Sequence, residues 1–374
     1  MQAKEHDIKF MRSTINLSRM ALGKTGNNPP VGAILVKDSS SILGYGVTAI
    51  GGRPHAEAEA VQSAIANGYN YDDISGATIY STLEPCSHYG KTPPCAKMLI
   101  DLGIKRVVIS IKDIDPRVDG RGIAMLRDAG IEVVENVVPW EGYKVLAPYI
   151  INRLYNRSYV CLKLAIGKDG SIGSRSRPNF SISNDLSKNV SHNLRMMYDA
   201  ILVGINTVIC DDPMLNVRVN GINYNKLIRI VLDSKLRISE TSRLVQTARD
   251  YPLWIICTAD ADKNREEHLR SLGARVIIAP KIDSRIDIIS LLRLLRQEKV
   301  NSVLVEGGAD IVASFMSNGV ADRYALFNSN VCVNEEPIYA PLIDDLEDYY
   351  RVNEMKLRDD VFYELLRREK CLQG

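Results

Sequence analysis

Two α/β domains on one chain are what this sequence predicts, and three observations carry the prediction. Its 374 residues, 45% of them hydrophobic, supply enough apolar surface for two packed cores. Short β-branched runs alternate with helix-patterned stretches in both halves, the order that builds sheets covered by helices. Between the halves, a long apolar helical stretch ends and a new strand begins, which sets the expected domains at residues 1–150 and 151–374. No Gly/Ser-rich or Pro-rich linker marks the boundary.

In the first half, apolar residues at Ile8, Met11, Ile15, Leu17, Met20 and Leu22 predict a helix over Asp7 to Leu22. Val31 to Lys37 and Ser41 to Val47 flank Asp38-Ser39-Ser40 as a hairpin. Pro54 opens a helix over His55 to Ala66 that Gly68 ends. Ala77 to Leu83, Arg106 to Ile111 and Ile131 to Val134 read as strands, with helices at Cys95 to Leu102, Gly122 to Ala129 and Trp140 to Tyr155.

The second half gives strand-like runs at Tyr159 to Ala165, Ala200 to Val203, Ile228 to Leu232, Leu253 to Cys257, Arg275 to Ile278, Ser302 to Val305 and Tyr324 to Asn328. Helices at Ser183 to Met197, Arg265 to Leu272 and Asp287 to Gln297 alternate with them. The basic segment Arg351 to Lys370 is expected as a surface strand or helix.

Charge narrows the partners. With 47 basic and 45 acidic residues spread along the chain, the net charge of +2 favours neither nucleic acid nor an anionic membrane. Cysteines 86, 95, 161, 210, 257, 332 and 371 are odd in number and scattered except for the first two, unlike a secreted disulfide framework. A reducing cytoplasm is therefore expected. The charged stretch Met1 to Phe10 lacks the apolar run of a signal peptide, and no stretch reads as a bilayer span. Cys161, Cys210, Cys257 and Cys332 lie in apolar runs and are expected as buried, inert thiols.

Chemistry concentrates in His55-Ala56-Glu57 and in the stretch from Glu84-Pro85-Cys86 to Cys95. One imidazole and two thiolates are the three protein ligands of a catalytic zinc site that keeps its fourth position for water. A His-x-Glu followed by Pro-Cys and a second Cys is the pattern of zinc-dependent nucleobase deaminases, where the Glu moves protons instead of binding metal. His55, Cys86 and Cys95 are thus the expected ligands and Glu57 the expected catalytic residue. Residues two apart diverge in a helix interior, so His55 and Glu57 converge on one metal only at a helix start. Cys95 would open the next helix, whose free N–H groups stabilise a thiolate. His88, inside the loop, is expected to face substrate or solvent.

The eight residues between Cys86 and Cys95, Ser-His-Tyr-Gly-Lys-Thr-Pro-Pro, resemble the deaminase domain of the bifunctional riboflavin-biosynthesis deaminase-reductases. Thr25 to Gly32 resembles that family's substrate loop, with Asn27 in place of its first Pro and Asn28 as the implied substrate contact. Asp113 to Gly122 resembles its post-strand loop, although Asp119-Gly120-Arg121-Gly122 reads equally as a phosphate loop or a solvated turn. The implied fold is a cytidine-deaminase-like α/β/α domain.

Glu306-Gly307-Gly308 follows a strand and opens a helical stretch, which suits an approach to phosphate. No full Gly-x-Gly-x-x-Gly in a βαβ unit accompanies it, so a Rossmann fold is not predicted. Lys163-Leu164-Ala165, Asp169-Gly170, Arg195, Asp199 to Gly204, Thr207, Asp211-Asp212-Pro213, Arg218 and Val231 to Ser234 stand beside it and together resemble the same family's reductase domain, over Tyr159 to about Phe327. That domain is dihydrofolate-reductase-like and uses NADPH. The resemblance implies cofactor contacts at Ala165, Ser181, Thr207, Asp211, Ser234, Gly308, Ala309, Asp310, Ile311, Val312, Ala313 and Ser314. It implies substrate contacts at Asn179, Arg195, Leu215, Arg218 and Glu306. Asn179 and Ser181 depart from the family's usual Ser and Trp. Arg195 and Arg218 suit a ribose 5-phosphate, since a guanidinium meets phosphate bidentately.

The implied function is zinc-dependent deamination of 2,5-diamino-6-ribosylamino-4(3H)-pyrimidinone 5′-phosphate, then NADPH reduction of its ribosyl group to ribityl. Zn²⁺, NADPH and a small-molecule pyrimidine nucleotide are the expected partners, and a homo-oligomer is left open. The competing reading is a nucleic-acid-editing deaminase with a C-terminal RNA-binding module. It calls for a basic stripe or an aromatic platform, against which stand the +2 charge and only five Phe and two Trp.

Overall fold

The computed structural model describes residues 3–90, 93–219, 221, 224, 226–343 and 346–369. Lys91 and Thr92 of the cysteine loop, Lys370 and Cys371 lie outside the described residues. The chain divides into two compact units, Met1–Asn156 and Arg157–Lys370.

In the first unit the elements run α1 (Glu5–Ser18), β1 (Gly32–Lys37), β2 (Ser41–Val47), α2 (Ala56–Ala66), α3 (Tyr71–Ile74), β3 (Thr78–Leu83), α4 (Cys95–Asp101), β4 (Arg106–Ile111), α5 (Arg121–Asp128), β5 (Glu132–Val134) and α6 (Pro139–Tyr155). The sheet order is β2-β1-β3-β4-β5, antiparallel at β1 and parallel from β3 to β5. Side chains alternate across a strand, so the neighbours of β1 separate the two faces. A Cβ on Gly32 would stand 2.4 Å from the Thr14 carbonyl of α1. A Cβ on Gly46, paired with Ala33 on the opposite face, would stand 2.5 Å from the Ala60 nitrogen of α2. Glycine at Gly44 and Gly46, facing Ala60 and Ala64, lets α2 lie almost on the backbone of β2. The α1 face is filled by Met11, Ile15, Ile34, Val36, Tyr80, Val108 and Val145.

One buried charge network fastens α1 to this sheet. Arg106 of β4 forks onto Asp7 at 2.6 and 3.0 Å, Tyr80 of β3 donates to the same carboxylate at 3.0 Å, and Arg106 Nε reaches Glu132 of β5 at 2.8 Å. Burial alone would raise the Asp7 pKa, but the Arg106 bonds outweigh it and hold the carboxyl below its ordinary value.

The second unit contains β6 (Tyr159–Ile166), β7 (Ser171–Ser174), α7 (Asp185–Arg195), β8 (Ala200–Gly204), α8 (Ile205–Asp211), β9 (Ile228–Leu232), α9 (Arg243–Gln246), β10 (Leu253–Cys257), α10 (Lys263–Ser271), β11 (Arg275–Ile278), β12 (Lys281–Ile282), β13 (Arg285–Ile286), α11 (Ile288–Gln297), β14 (Ser302–Val305), α12 (Ala309–Ser317), β15 (Arg323–Asn328), β16 (Pro337–Tyr339), β17 (Tyr349–Leu357) and β18 (Asp360–Arg367). Nine strands form one sheet in the order β11-β10-β9-β8-β14-β6-β15-β18-β17. The seven from β11 to β15 are parallel, and their near-continuous apolar runs suit a sheet buried on both faces.

Two sequence expectations are corrected here. The C-terminal segment is a surface strand only in part: β17 is an exposed edge strand, whereas β18 pairs with both β15 and β17, and its Phe362, Leu365 and Leu366 are buried. Cys210 and Cys332 are exposed, because Cys210 points outward from α8 and Cys332 lies in the loop after β15; Cys161 and Cys257 are buried as expected. No helix among the described residues is long and apolar enough to cross a membrane.

Removing one partner of a buried ion pair costs ~3–5 kcal/mol. Asp7→Asn should therefore lower unit-one stability by about 3 kcal/mol at neutral pH, read by Trp140 fluorescence in a W254F background. Because the folded pKa is depressed, this advantage is present above the ordinary carboxylate pKa, and acidification through and below it should close the gap between the two proteins.

Candidate active site

His55 is the N-cap of α2, Glu57 lies in its first turn, and Cys95 is the first residue of α4 behind Pro94. The helix starts let the side chains converge. His55 Nδ1 lies 3.6 Å from Cys86 Sγ and 3.4 Å from Cys95 Sγ, and the three ligand atoms all fall within 4.8 Å of one another. Tetrahedral zinc with Zn–N near 2.0 Å and Zn–S near 2.3 Å keeps nitrogen and sulfur ligands about 3.5 Å apart, so the donor set fits this ion. The Cys95 backbone N–H also donates to Cys86 Sγ at 3.3 Å. The hydrogen bond with Cys95, helped by His55, pulls the Cys86 thiol down to about 4, while the same contact and burial push Cys95 up.

Glu57 is buried beside these donors. Burial, then the Cys86 charge, pushes its carboxyl up to about 7. It shares a pocket with Asn28, His55, Cys86, His88, Asp113 and Arg117, together with Arg53, Asp115, Tyr149 and Arg153. His88 faces this pocket and stands outside the metal-ligand group.

Glu84 has a role that the sequence reading missed. Its buried carboxylate accepts backbone N–H bonds from Asp113 at 3.2 Å, Gly120 at 3.0 Å, Gly122 at 2.9 Å and Ile123 at 3.2 Å. The Asp119 to Gly122 stretch is therefore not a phosphate loop: its Gly120 and Gly122 amides already hold an internal anion, while the side chains of Asp119 and Arg121 are exposed on a turn. The one signal in the sequence was an acidic residue ending a buried strand. Asp113, pushed up to about 6 by burial, accepts from Tyr149 at 3.0 Å, and Asp115 is paired with Arg117 at 2.7 Å and Arg153 at 3.3 Å.

In the second unit, Arg195 meets Glu306 through two bonds of 2.8 and 3.0 Å and donates to the Asn216 carbonyl at 2.7 Å. Its fork is occupied by protein, whereas Arg218 is exposed. Lys163 Nζ lies 4.0 Å from Glu306, and His192 Nδ1 accepts from the Arg218 backbone N–H at 3.2 Å. Burial disfavours the Glu306 charge, but Arg195 and Lys163 outweigh it and hold the carboxyl at about 2. Burial pulls the Lys163 ammonium down, and burial with Arg195 pulls His192 down to about 4.

Asp211 accepts from the backbone N–H of Asn179 at 3.0 Å, and Asn179 and Leu215 both adopt left-handed backbone at φ 58° and 50°. Ser181 is exposed and donates to the Ser183 carbonyl at 2.9 Å; Ala165 lies in β6, and Ser234 in the turn after β9. Gly308 caps α12, whose first turns carry Ala309, Asp310, Ile311, Val312, Ala313 and Ser314; Val312 and Leu215 have buried side chains. A Cβ on Gly308 would stand 3.7 Å from Thr207 Oγ1, in the gap that these two residues share. A bare backbone turn at a helix start facing a hydroxyl fits a cofactor pyrophosphate.

Known proteins carry the same two parts. Residues 4–111 match the cytidine and deoxycytidylate deaminase zinc-binding region, and residues 158–339 match the RibD C-terminal domain. The riboflavin biosynthesis protein RibD of Actinobacillus pleuropneumoniae is 38% identical over 318 residues, 85% of this chain and 82% of that protein. The chain belongs to the RibD family. RibD of Aquifex aeolicus is 33% identical over 95% of this chain and 96% of its own length. The crystal structure of a diaminohydroxyphosphoribosylaminopyrimidine deaminase/5-amino-6-(5-phosphoribosylamino)uracil reductase from Thermotoga maritima matches with a TM-score of 0.83 at 31% identity, covering 97% of this chain and 99% of that one. As a RibD family member the chain is a bifunctional enzyme of riboflavin biosynthesis, with a zinc-dependent deaminase domain of cytidine-deaminase-like fold and an NADPH-dependent reductase domain.

Losing an outer partner of a zinc ligand costs ~10–100-fold in affinity, and losing a ligand costs more. Cys95→Ala should therefore lower zinc affinity by more than ~100-fold, measured by competition with a chromophoric chelator, while NADPH binding stays unchanged.

Proposed function

We propose that residues 1–150 remove the ring amine of 2,5-diamino-6-ribosylamino-4(3H)-pyrimidinone 5′-phosphate by hydrolysis, and that residues 151–374 then reduce the ribosyl group to ribityl with NADPH. The enzyme works in the cytoplasm on this small-molecule nucleotide. One observation carries the reading: Glu57 shares a pocket with His55 and Cys86, and Cys95 Sγ stands 3.4 Å from His55 Nδ1 to complete the donor set.

In this reading His55, Cys86 and Cys95 hold the ion, which when bound lowers the pKa of water towards neutrality. Glu57, buried beside the donors with its carboxyl pushed up by that burial, is placed to take a proton from water and pass it to a departing amine. Asn28, on the loop lining the pocket, contacts the pyrimidine. Asp113 and Tyr149, bonded to each other, form a polar wall beside it.

For the reduction, Arg218 is the guanidinium exposed for the 5′-phosphate, while Arg195 and Glu306 fix each other against the substrate. Thr207, Asp211, Ser234 and the Gly308 to Ser314 turn, with Ala165 and Ser181, hold NADPH. Hydride transfer also needs a proton. Lys163, whose ammonium lies 4.0 Å from Glu306 and is destabilised by burial, is the group in this cluster that gives it in this reading.

Glu57→Gln should lower ammonia release by about 10²–10⁴-fold, the usual contribution of a positioned acid-base group. Zinc content and NADPH oxidation with the deaminated nucleotide should match the unaltered enzyme. Normal ammonia release from this variant would contradict the role given to Glu57.

A further inference from the structure

Helix α7 is tied to the second unit at both ends. At its start the carboxylate of Asp360, the first residue of β18, accepts from the Asn184 N–H at 2.8 Å and from Ser187 Oγ at 2.6 Å. At its end Arg195 forks onto Glu306, behind β14. A side chain between these anchors stands on a fixed support.

His192 is such a side chain, three residues before Arg195 and so on the same face of the helix. Both residues grip the chain that leads from α8 to β9. Arg195 Nη1 donates to the Asn216 carbonyl at 2.7 Å, and His192 Nδ1 accepts from the Arg218 N–H at 3.2 Å. Arg229, fully buried in β9, adds a bond from its Nη1 to the Met214 carbonyl at 3.3 Å. The backbone is thus braced at every second residue: Met214, Asn216 and Arg218. Between the first two, Leu215 is held in left-handed backbone at φ 50°, which a bulky side chain disfavours. Leu215 and Val217 bury their side chains, and Arg218 is exposed at the end of the braced stretch.

A backbone N–H can only donate, so Nδ1 is the unprotonated nitrogen of the His192 ring. Burial, then the charges of Arg195 and Arg218, disfavour a second proton on that ring. Arg195 Nη1 approaches the same Nδ1 at 3.4 Å. The single acceptor of a buried imidazole therefore serves the two arginines of this site, one through its side chain and the other through its backbone.

We infer that His192 is a positioning residue for the reduction: by holding the Arg218 backbone it aims that guanidinium at the 5′-phosphate of the substrate. This rests on the reading of Arg218 as the phosphate ligand.

Two replacements of nearly equal shape, Leu and Asn, separate the hydrogen bond from the bulk of the ring. In the full-length enzyme given the deaminated nucleotide, His192→Leu should raise KM about 10-fold, the order of one lost hydrogen bond. Its kcat and NADPH affinity should stay unchanged. His192→Asn, whose Oδ1 can accept where Nδ1 did, should recover most of the loss. Because His192 acts through Arg218, H192L should add little to the KM of the Arg218→Ala enzyme. Additive losses in that double variant, an H192N enzyme no better than H192L, an unchanged KM in H192L, or a parallel fall in NADPH affinity would overturn the role of His192. An Arg218→Ala enzyme with unaltered KM would overturn the phosphate reading itself, and the inference with it.

Discussion

Everything in the first unit serves one geometric demand: an imidazole nitrogen and two thiol sulfurs must sit within hydrogen-bonding distance of each other, aimed at one point. The chain meets it by placing two donors at helix starts. His55 caps α2 and Cys95 opens α4, so neither side chain has to bend around its own helix. The same placement puts Glu57 in the first turn of α2, close to the donors and out of solvent. Packing supplies the rest, since α2 reaches this position only because β2 offers glycine backbone beneath it.

Around this demand the molecule distributes buried charge so that almost every carboxylate has donors of its own. Glu84 is held by four backbone amides, Asp7 by Arg106 and Tyr80, Glu306 by Arg195. Glu57 is the one that the chemistry uses: burial, then the Cys86 charge, pushes its carboxyl up against the opposing His55 charge and a hydrogen bond with Cys95. Unpaired burial raises a carboxyl pKa, and pairing lowers it. Glu57 is buried and Glu306 nearly so, and they stand on opposite sides of that rule.

The donor set was legible in the sequence because zinc chemistry fixes residue types and order, and the helix-start argument followed from the two-residue spacing of His55 and Glu57. The second α/β unit was legible too, through strand-like runs that alternate with helical stretches. What stayed hidden depended on partners distant in the chain. Glu84 looked like part of a loop motif, since the amides it binds lie 29 to 39 residues on. Arg195 looked like a phosphate ligand, since Glu306, which occupies its fork, is 111 residues away. The C-terminal strands carry charges between apolar residues, and only their pairing with β15 shows which face is buried. Cys210 and Cys332 misled for a simpler reason: apolar neighbours in sequence do not say which way one side chain points.

The most direct test of two consecutive activities on one chain is an order-of-addition experiment with the zinc-loaded protein and the diaminopyrimidine nucleotide, following ammonia and NADPH absorbance together. The account predicts ammonia release without NADPH, and NADPH oxidation only after deaminated nucleotide has formed. NADPH oxidation ahead of any ammonia, or no ammonia at all from protein that holds its zinc, would contradict it.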